Sequence, residues 1–218
     1  MDISYLIKFG AQEHCEKLME LGQVYMKPLS FYKNSSKDEN DMYDKNEGLK
    51  SRTTNNFLTP TNIIQIDILG NGQYKNLPTT NATIDVYQFS QKFCIYSLMG
   101  IKTEITTTPN LWYFHHNLIK ERDCFVLIKN PSEFFARLDS ALLGLKLPFD
   151  KNFITYYDPS VNVTDLNVFN KSNKYSYQME FRYIVENTEI QDLSVNIGTL
   201  TDIAEIHSTS IKKGLMFL

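Results

Sequence analysis

Cysteine is scarce in this sequence, and its spacing carries no metal or redox signature. Cys15, Cys94 and Cys124 are the only three among 218 residues. None belongs to a CxxC pair, each falls within an apolar pattern, and the expectation is three buried free thiols in a reducing compartment. This argues against a cysteine nucleophile and a cysteine-based metal site. No apolar run approaches the ~20 residues needed to span a bilayer, and the opening Met-Asp-Ile-Ser-Tyr lacks the basic and apolar regions of a signal peptide. The expected location is cytoplasmic, with no membrane partner. A Walker-type P-loop, a Gly-x-Gly-x-x-Gly turn and a Gly-x-Ser-x-Gly elbow are all missing, so neither phosphate cradling by a glycine-rich helix start nor a serine-hydrolase nucleophile is supported. Charge of one sign is also lacking. The net value of −3 gives no general electrostatic grip on nucleic acid, although it leaves room for a local basic groove.

Aromatic residues are abundant, with 13 Tyr and 14 Phe, and they favour β structure over a helical bundle. The length suits a single domain, and no repeat or linker divides the chain. Residues 4–9 read as a strand. Residues 11–21 place Ala11, Cys15, Leu18 and Met19 on one helical stripe, Gly22 stands just past the helix, and residues 23–27 form a second strand. Residues 34–56 are rich in charge and poor in apolar side chains, which predicts a solvated loop or flap. Further strands are expected at residues 63–69, 83–89, 93–99 and 124–129, with Gly70-Asn71-Gly72 as a hairpin turn. Asn130, Pro131 and Glu133 mark a helix start, with Asn130 as N-cap and Glu133 reaching back to it. The helix should bury Phe134, Phe135, Leu138, Ala141 and Leu142 and stop at Gly144. Strands at 153–157, 175–186 and 193–197 and a short tail strand at 214–218 complete an α+β domain.

The strand expected at 175–186 is the richest in chemistry. Alternation puts Tyr177, Met179, Phe181, Tyr183 and Val185 on one face and Gln178, Glu180, Arg182 and Ile184 on the other. A carboxylate between an amide and a guanidinium makes a positioned acidic site; the competing reading is an exposed polar sheet face with an ion pair. His115-His116, beside Trp112, Tyr113 and Phe114, is the other local concentration of functional groups. Adjacent His side chains diverge on a strand and have no partner at ligand spacing, so no metal is expected.

Tyr5-Leu-Ile-Lys-Phe-Gly, the helix and Leu21-Gly-Gln-Val-Tyr-Met resemble the opening of many ADP-ribosyltransferase-fold proteins. Residues 25–33, Asp44-Lys-Asn-Glu-Gly48, Phe93-Cys-Ile-Tyr-Ser97, Leu111-Trp112-Tyr113, Phe125-Val-Leu-Ile, Phe169-Asn-Lys171 and Tyr177-Gln-Met-Glu-Phe-Arg182 extend the likeness along most of the chain. They are similar to an uncharacterised bacterial family with an early aromatic-rich strand and a late Glu-x-Glu-aromatic-Arg strand. The resemblance implies a split, curved β core with flanking helices, and NAD+ as substrate. It implies Glu180 and Gln178 as catalytic residues, with Lys8, Tyr25, Tyr32, Ser97 and Arg182 around the dinucleotide. It also implies a macromolecular acceptor, nucleic acid or protein, and a toxin or antiphage role with a cognate antitoxin or immunity protein. The chain departs from the family on the first strand, where Lys8 is the nearest polar residue to the usual His or Arg. The alternative is a noncatalytic module on the same fold that contacts a partner protein or nucleotide.

Overall fold

The computed structural model describes residues 2–34, 49–55, 63–67, 74–78, 82–87, 93–102, 111–112, 114–120, 122–189, 191–210 and 215–216. Its frame is a mostly antiparallel sheet with helices against it, an α+β arrangement.

The chain begins with β1 (Ile3–Gly10), α1 (Gln12–Leu21), β2 (Gln23–Pro28) and α2 (Leu29–Asn34). Helix α1 buries Cys15, Leu18 and Met19, as its apolar spacing predicts. Gly22 ends it in the left-handed region at φ 61°, its N–H returning to the Lys17 carbonyl. Then come β3 (Leu49–Asn55), β4 (Ile63–Asp67), β5 (Tyr74–Pro78), β6 (Ala82–Tyr87) and β7 (Phe93–Lys102). Strand β3 pairs with β6, and β4 with β5, in separate two-stranded ribbons. Residues 49–55 are therefore strand where a solvated loop was expected, because their polar side chains hid a ladder that only β6 completes. Asn34 is the last residue of α2, and the rest of the expected flap, residues 35–48 and residue 56, lies outside the described residues, as does Gly70-Asn71-Gly72.

The remaining elements are β8 (Leu111–Trp112), α3 (His116–Ile119), β9 (Cys124–Ile128), α4 (Pro131–Gly144), β10 (Phe149–Phe153), β11 (Thr155–Tyr157), β12 (Asn170–Ser172), a 3-10 helix (Asn173–Gln178), β13 (Glu180–Glu186), β14 (Leu193–Asn196), β15 (Ala204–Ser208) and β16 (Leu215–Met216). Asn130 caps α4 by accepting the Glu133 N–H at 3.1 Å. Glu133 does not reach back; its carboxylate takes Arg137 Nε at 2.8 Å instead, since a cationic partner one turn on competes better than a neutral amide.

The main sheet runs β10-β13-β7-β1-β9-β15, and it forks at β7. The late part of β7 pairs with β1 through Met99 to Lys102, while the early part pairs with β2 through Cys94 and Ile95. Strands β1 and β2 thus leave the same edge of β7, and the Tyr96–Leu98 stretch lies between them. One face of the sheet carries Leu6, Tyr96, Leu98, Val126, Phe181 and Tyr183 and packs with α1 and α4 into the main core. Phe134, Leu138 and Leu142 of α4 are fully buried there, each worth about 1.5–3 kcal/mol. The opposite face carries Ile7, Met99, Ile101, Phe125 and Leu127 in a second, smaller cluster.

Two expectations fail. Cys15 and Cys124 are joined in a disulfide that ties α1 to β9, and only Cys94 is a buried free thiol. Positions 109 residues apart in sequence meet because α1 packs over the β1–β9 pair, and this withdraws the support that free thiols gave to a reducing compartment. The strand expected over 175–186 begins only at Glu180. Residues 173–178 form the 3-10 helix, and Met179 turns at φ 39° into the strand. Tyr177 and Met179 therefore join the smaller cluster rather than the face of Phe181, Tyr183 and Val185. Among the described residues no helix is long and apolar enough to cross a membrane.

Candidate functional site

Strand β13 is buried along six of its seven residues, which excludes an exposed polar face. Glu180 is 4 % exposed and Arg182 1 %. Uncompensated charges at such depth would cost several kcal/mol each, so partners must be present, and they are. Arg182 Nε donates to Glu180 Oε1 at 2.7 Å, the Ser97 hydroxyl donates to the same oxygen at 2.5 Å, and Lys171 Nζ approaches Oε2 at 3.0 Å. Ser97 reaches Glu180 from β7, where it stands directly opposite Arg182 in the antiparallel register. Lys171 comes from β12, and the same ammonium bonds Gln178 Oε1 at 2.9 Å. Gln178 and Glu180 are thus held together although one lies in a 3-10 helix and the other in a strand.

The backbone around the carboxylate is fixed as firmly. Glu180 N is paired with the Tyr156 hydroxyl at 3.0 Å, and Glu180 O accepts the Ile154 N–H at 2.9 Å. Arg182 donates its other arm to the Val168 carbonyl at 2.7 Å. The left-handed Met179 stores strain just before the acidic residue, of order 1–3 kcal/mol for a non-glycine. Burial alone would raise the Glu180 carboxyl. The charges of Arg182 and Lys171, with hydrogen bonds from Arg182 and Ser97, outweigh it and hold the group well below the usual carboxylate range.

Lys8 occupies the fork. It follows the last β1–β7 pair, and its ammonium donates at 2.8 Å to the Ser97 carbonyl, which the divergence of β1 from β2 leaves without a strand partner there. Nζ also lies 4.3 Å from the centre of the Tyr96 ring. No carboxylate pairs with Lys8 among the described residues. Burial, with the Arg122 charge adding to it, pushes the ammonium down to about 8, against a small opposing pull from Glu180.

Lys8, Ser97, Gln178, Glu180, Arg182 and Tyr32 line one cleft of about 300 Å³. Tyr25 is not with them. It stands in an adjoining cavity of about 200 Å³ that shares Lys8 and Tyr32 with the cleft, and its hydroxyl bonds Asp192. Tyr25 is displaced because β2 meets β7 only at Lys27 and Pro28, and Tyr25 lies before that contact, opposite Ser194 of β14. Of the seven side chains expected, six converge, and the seventh is next door.

Two cations of the cleft were not among the expected site residues. Lys171 belongs to a polar Asn-Lys-Ser run with no periodicity, and only the packing of β12 and the 3-10 helix beside β13 brings it to Glu180. Arg122, from the link between α3 and β9, faces Lys8 closely enough to oppose its charge. Among the described residues the cleft is lined by four cations, Lys8, Arg122, Lys171 and Arg182, two of them paired with the one carboxylate there, Glu180, within a chain that is net negative. Such a cleft suits an anionic ligand with one electron-poor centre that Glu180 can face. Among the described residues no group of three or more His, Cys, Asp or Glu could hold a metal ion. Comparison of the chain with protein-family models, with curated proteins and with solved structures finds no match.

Proposed function

We propose that this chain is an ADP-ribosyltransferase-like enzyme that uses NAD+ to modify a macromolecule. The observation that carries the reading is the convergence of Lys8, Ser97, Gln178 and Glu180, from three separate regions of the chain, on one cationic cleft around one ionised carboxylate. NAD+ has the complementary chemistry: an anionic pyrophosphate and a ribose that becomes positive as the glycosidic bond to nicotinamide breaks. The electron pair of that bond leaves with nicotinamide, and the acceptor's nucleophile then bonds the ribose carbon and gives up its proton to solvent. Glu180 faces the developing charge and accepts a ribose hydroxyl. A fixed, already ionised carboxylate stabilises such a centre without reorganisation. Ser97 orients Glu180, Gln178 directs the acceptor, and Lys8 with Arg122 meets the phosphates. The cavity beyond Lys8, with Tyr25 and Tyr32, gives the ligand's second half a place. An enzyme of this kind fits a toxin or antiphage effector, whose own cell needs an antitoxin or immunity protein.

The test is incubation with NAD+ carrying a labelled adenylate, following nicotinamide release and transfer of label. Glu180→Gln keeps the shape of the side chain and should lower turnover by about 10²–10³-fold. Turnover unchanged in that variant would reject Glu180 as catalytic. A noncatalytic nucleotide-binding module is the second reading, favoured by one observation: three donors already engage the Glu180 oxygens. Binding of NAD+ without any release of nicotinamide would decide for it.

A further inference from the structure

Gln178 and Glu180 stand in different elements, and one ammonium holds them both. Lys171 Nζ donates to Gln178 Oε1 at 2.9 Å and to Glu180 Oε2 at 3.0 Å. Lys171 is 5 % exposed, and its Nζ also lies 5.0 Å from the centre of the Tyr175 ring in the 3-10 helix. The two-stranded β11–β12 sheet delivers it, with Lys171 opposite Tyr156 in parallel register. Tyr156 in turn takes the Glu180 N–H on its hydroxyl. The small sheet therefore grips Glu180 twice, at the backbone and at the carboxylate, and reaches Gln178 with the same side chain.

The contact also fixes the polarity of the amide. An ammonium has three N–H donors and no acceptor, so only the carbonyl oxygen of Gln178 can face it. Gln178 lines the cleft, and no other side-chain hydrogen bond of Gln178 is present among the described residues. Its amide N–H groups are thus left for whatever enters. Gln178 ends the 3-10 helix directly before the left-handed Met179, so strand alternation does not set its direction. The Glu180 carboxylate has Arg182 and Ser97 as further partners. Lys171 is therefore the partner on which the direction of Gln178 depends.

We propose that Lys171 is a positioning residue, holding the Gln178 amide with its N–H groups toward the cleft and in fixed register with the Glu180 carboxylate. Its part in turnover rests on the enzymatic reading; its hold on Gln178 does not. In that reaction the Gln178 N–H donates to a lone pair of the acceptor while Glu180 faces the ribose. Lys171 acts through these two side chains and contacts neither NAD+ nor acceptor.

The experiment compares Lys171→Met and Lys171→Arg with the unaltered full chain, following nicotinamide release from NAD+. Lys171→Met keeps the length of the side chain and removes its charge and donors. It should lower kcat by about 10- to 100-fold and change KM for NAD+ by less than about threefold. Against burial, which raises it, the charges of Arg182 and then Lys171 hold the Glu180 carboxyl down. Loss of Lys171 should therefore move the acid limb of the pH–rate profile upward, and Lys171→Arg should return it. A merely structural role would not move that limb. The second readout needs no turnover: the nuclear magnetic resonance signals of the Gln178 side-chain amide, assigned by their loss in Gln178→Leu. They should be dispersed and rigid in the unaltered chain and should collapse in Lys171→Met to those of a freely rotating glutamine. If Lys171→Met does not fold, Lys171→Gln, shorter and uncharged, is held to the same two readouts. A raised KM with kcat unchanged would make Lys171 a direct NAD+ contact and overturn the proposal. An unmoved acid limb or an unmoved Gln178 amide signal would overturn it as well. No nicotinamide release from the unaltered chain, with the amide signal still dependent on Lys171, would sink the enzymatic reading and leave the hold on Gln178 standing. Turnover that depends on Glu180 but not on Lys171 does the reverse.

Discussion

Glu180 and Lys8 are both poised, and they are poised in opposite directions. Glu180 is stabilised as an anion by Arg182 and Lys171, so its folded pKa lies below the unfolded one. Its contribution to stability is complete above about pH 4.5 and is lost as pH falls through the folded value. Glu180→Gln leaves two buried cations without their counter-charge and should cost about 3–5 kcal/mol at neutral pH. Denaturant titration should show that deficit constant between pH 5.5 and 7.5 and shrinking in more acidic buffer. A deficit that grew toward low pH would mean the carboxylate is not the anionic partner of Arg182 and Lys171. Lys8 is a base with a lowered pKa, so folding disfavours its charged form, and its destabilising effect is full below about pH 8 and relieved as pH rises from there towards the unfolded value of 10.5. Ligand binding has the opposite sign, because an anion needs the ammonium. The affinity for NAD+ or ADP, measured calorimetrically from pH 7 to 9.5, should decline above about pH 8, and Lys8→Arg should flatten the profile. A flat profile in the unaltered chain would remove Lys8 from the anion contact.

Single turns set where the elements go. Gly22 closes α1 and aims β2 at β14, with a left-handed φ of 61°. A Cβ there would lie 2.1 Å from the Gly198 carbonyl oxygen, in backbone that cannot yield without moving the β14 exit. Gly22→Ala should therefore destabilise by more than the 1–2 kcal/mol of left-handed strain alone, read as a drop in thermal midpoint. A change of less than a degree would show that this turn is not the constraint. The step from the 3-10 helix to β13 is the second such joint. It shortens the strand expected from residue 175 by five residues, and it keeps Gln178 beside Glu180 through Lys171 rather than through strand alternation.

For the molecule as a whole, the fork of the sheet at β7 and the tie between α1 and β9 matter most. The fork opens one edge of β7, and the cleft is the space it leaves, closed over by Lys8. The Cys15–Cys124 bond spans 109 positions, and a loop of that length corresponds to roughly 4–5 kcal/mol in the chain-entropy account. Thiol titration in denaturant without reductant should find one reactive thiol, Cys94, and three after reduction. Reduction should also lower the thermal midpoint by several degrees or more. Three thiols before reduction would show that the bond does not form.

Local pattern determined what local physics governs. The apolar stripe and Gly22 fixed α1, and Asn130-Pro131 fixed the start of α4. The alternating run after residue 180 placed Glu180 and Arg182 on one face. These features depend on neighbours within a few residues, where 3.6 or 2 residues per repeat and the chemistry of a cap are enough. Pairing over long separations was not legible. That Lys171 would hold Glu180 and Gln178 together, that β3 would find β6, and that Cys15 would reach Cys124 all depend on which strands lie side by side. Tyr25 shows the same limit from the other direction: the resemblance put it beside the dinucleotide, and because β2 meets β7 only at Lys27 and Pro28 it lies in the next cavity. Sequence alone determined the parts and the acidic residue worth watching. Only tertiary structure decided that this residue is buried and ionised, because burial and counter-charge are properties of the assembled sheet.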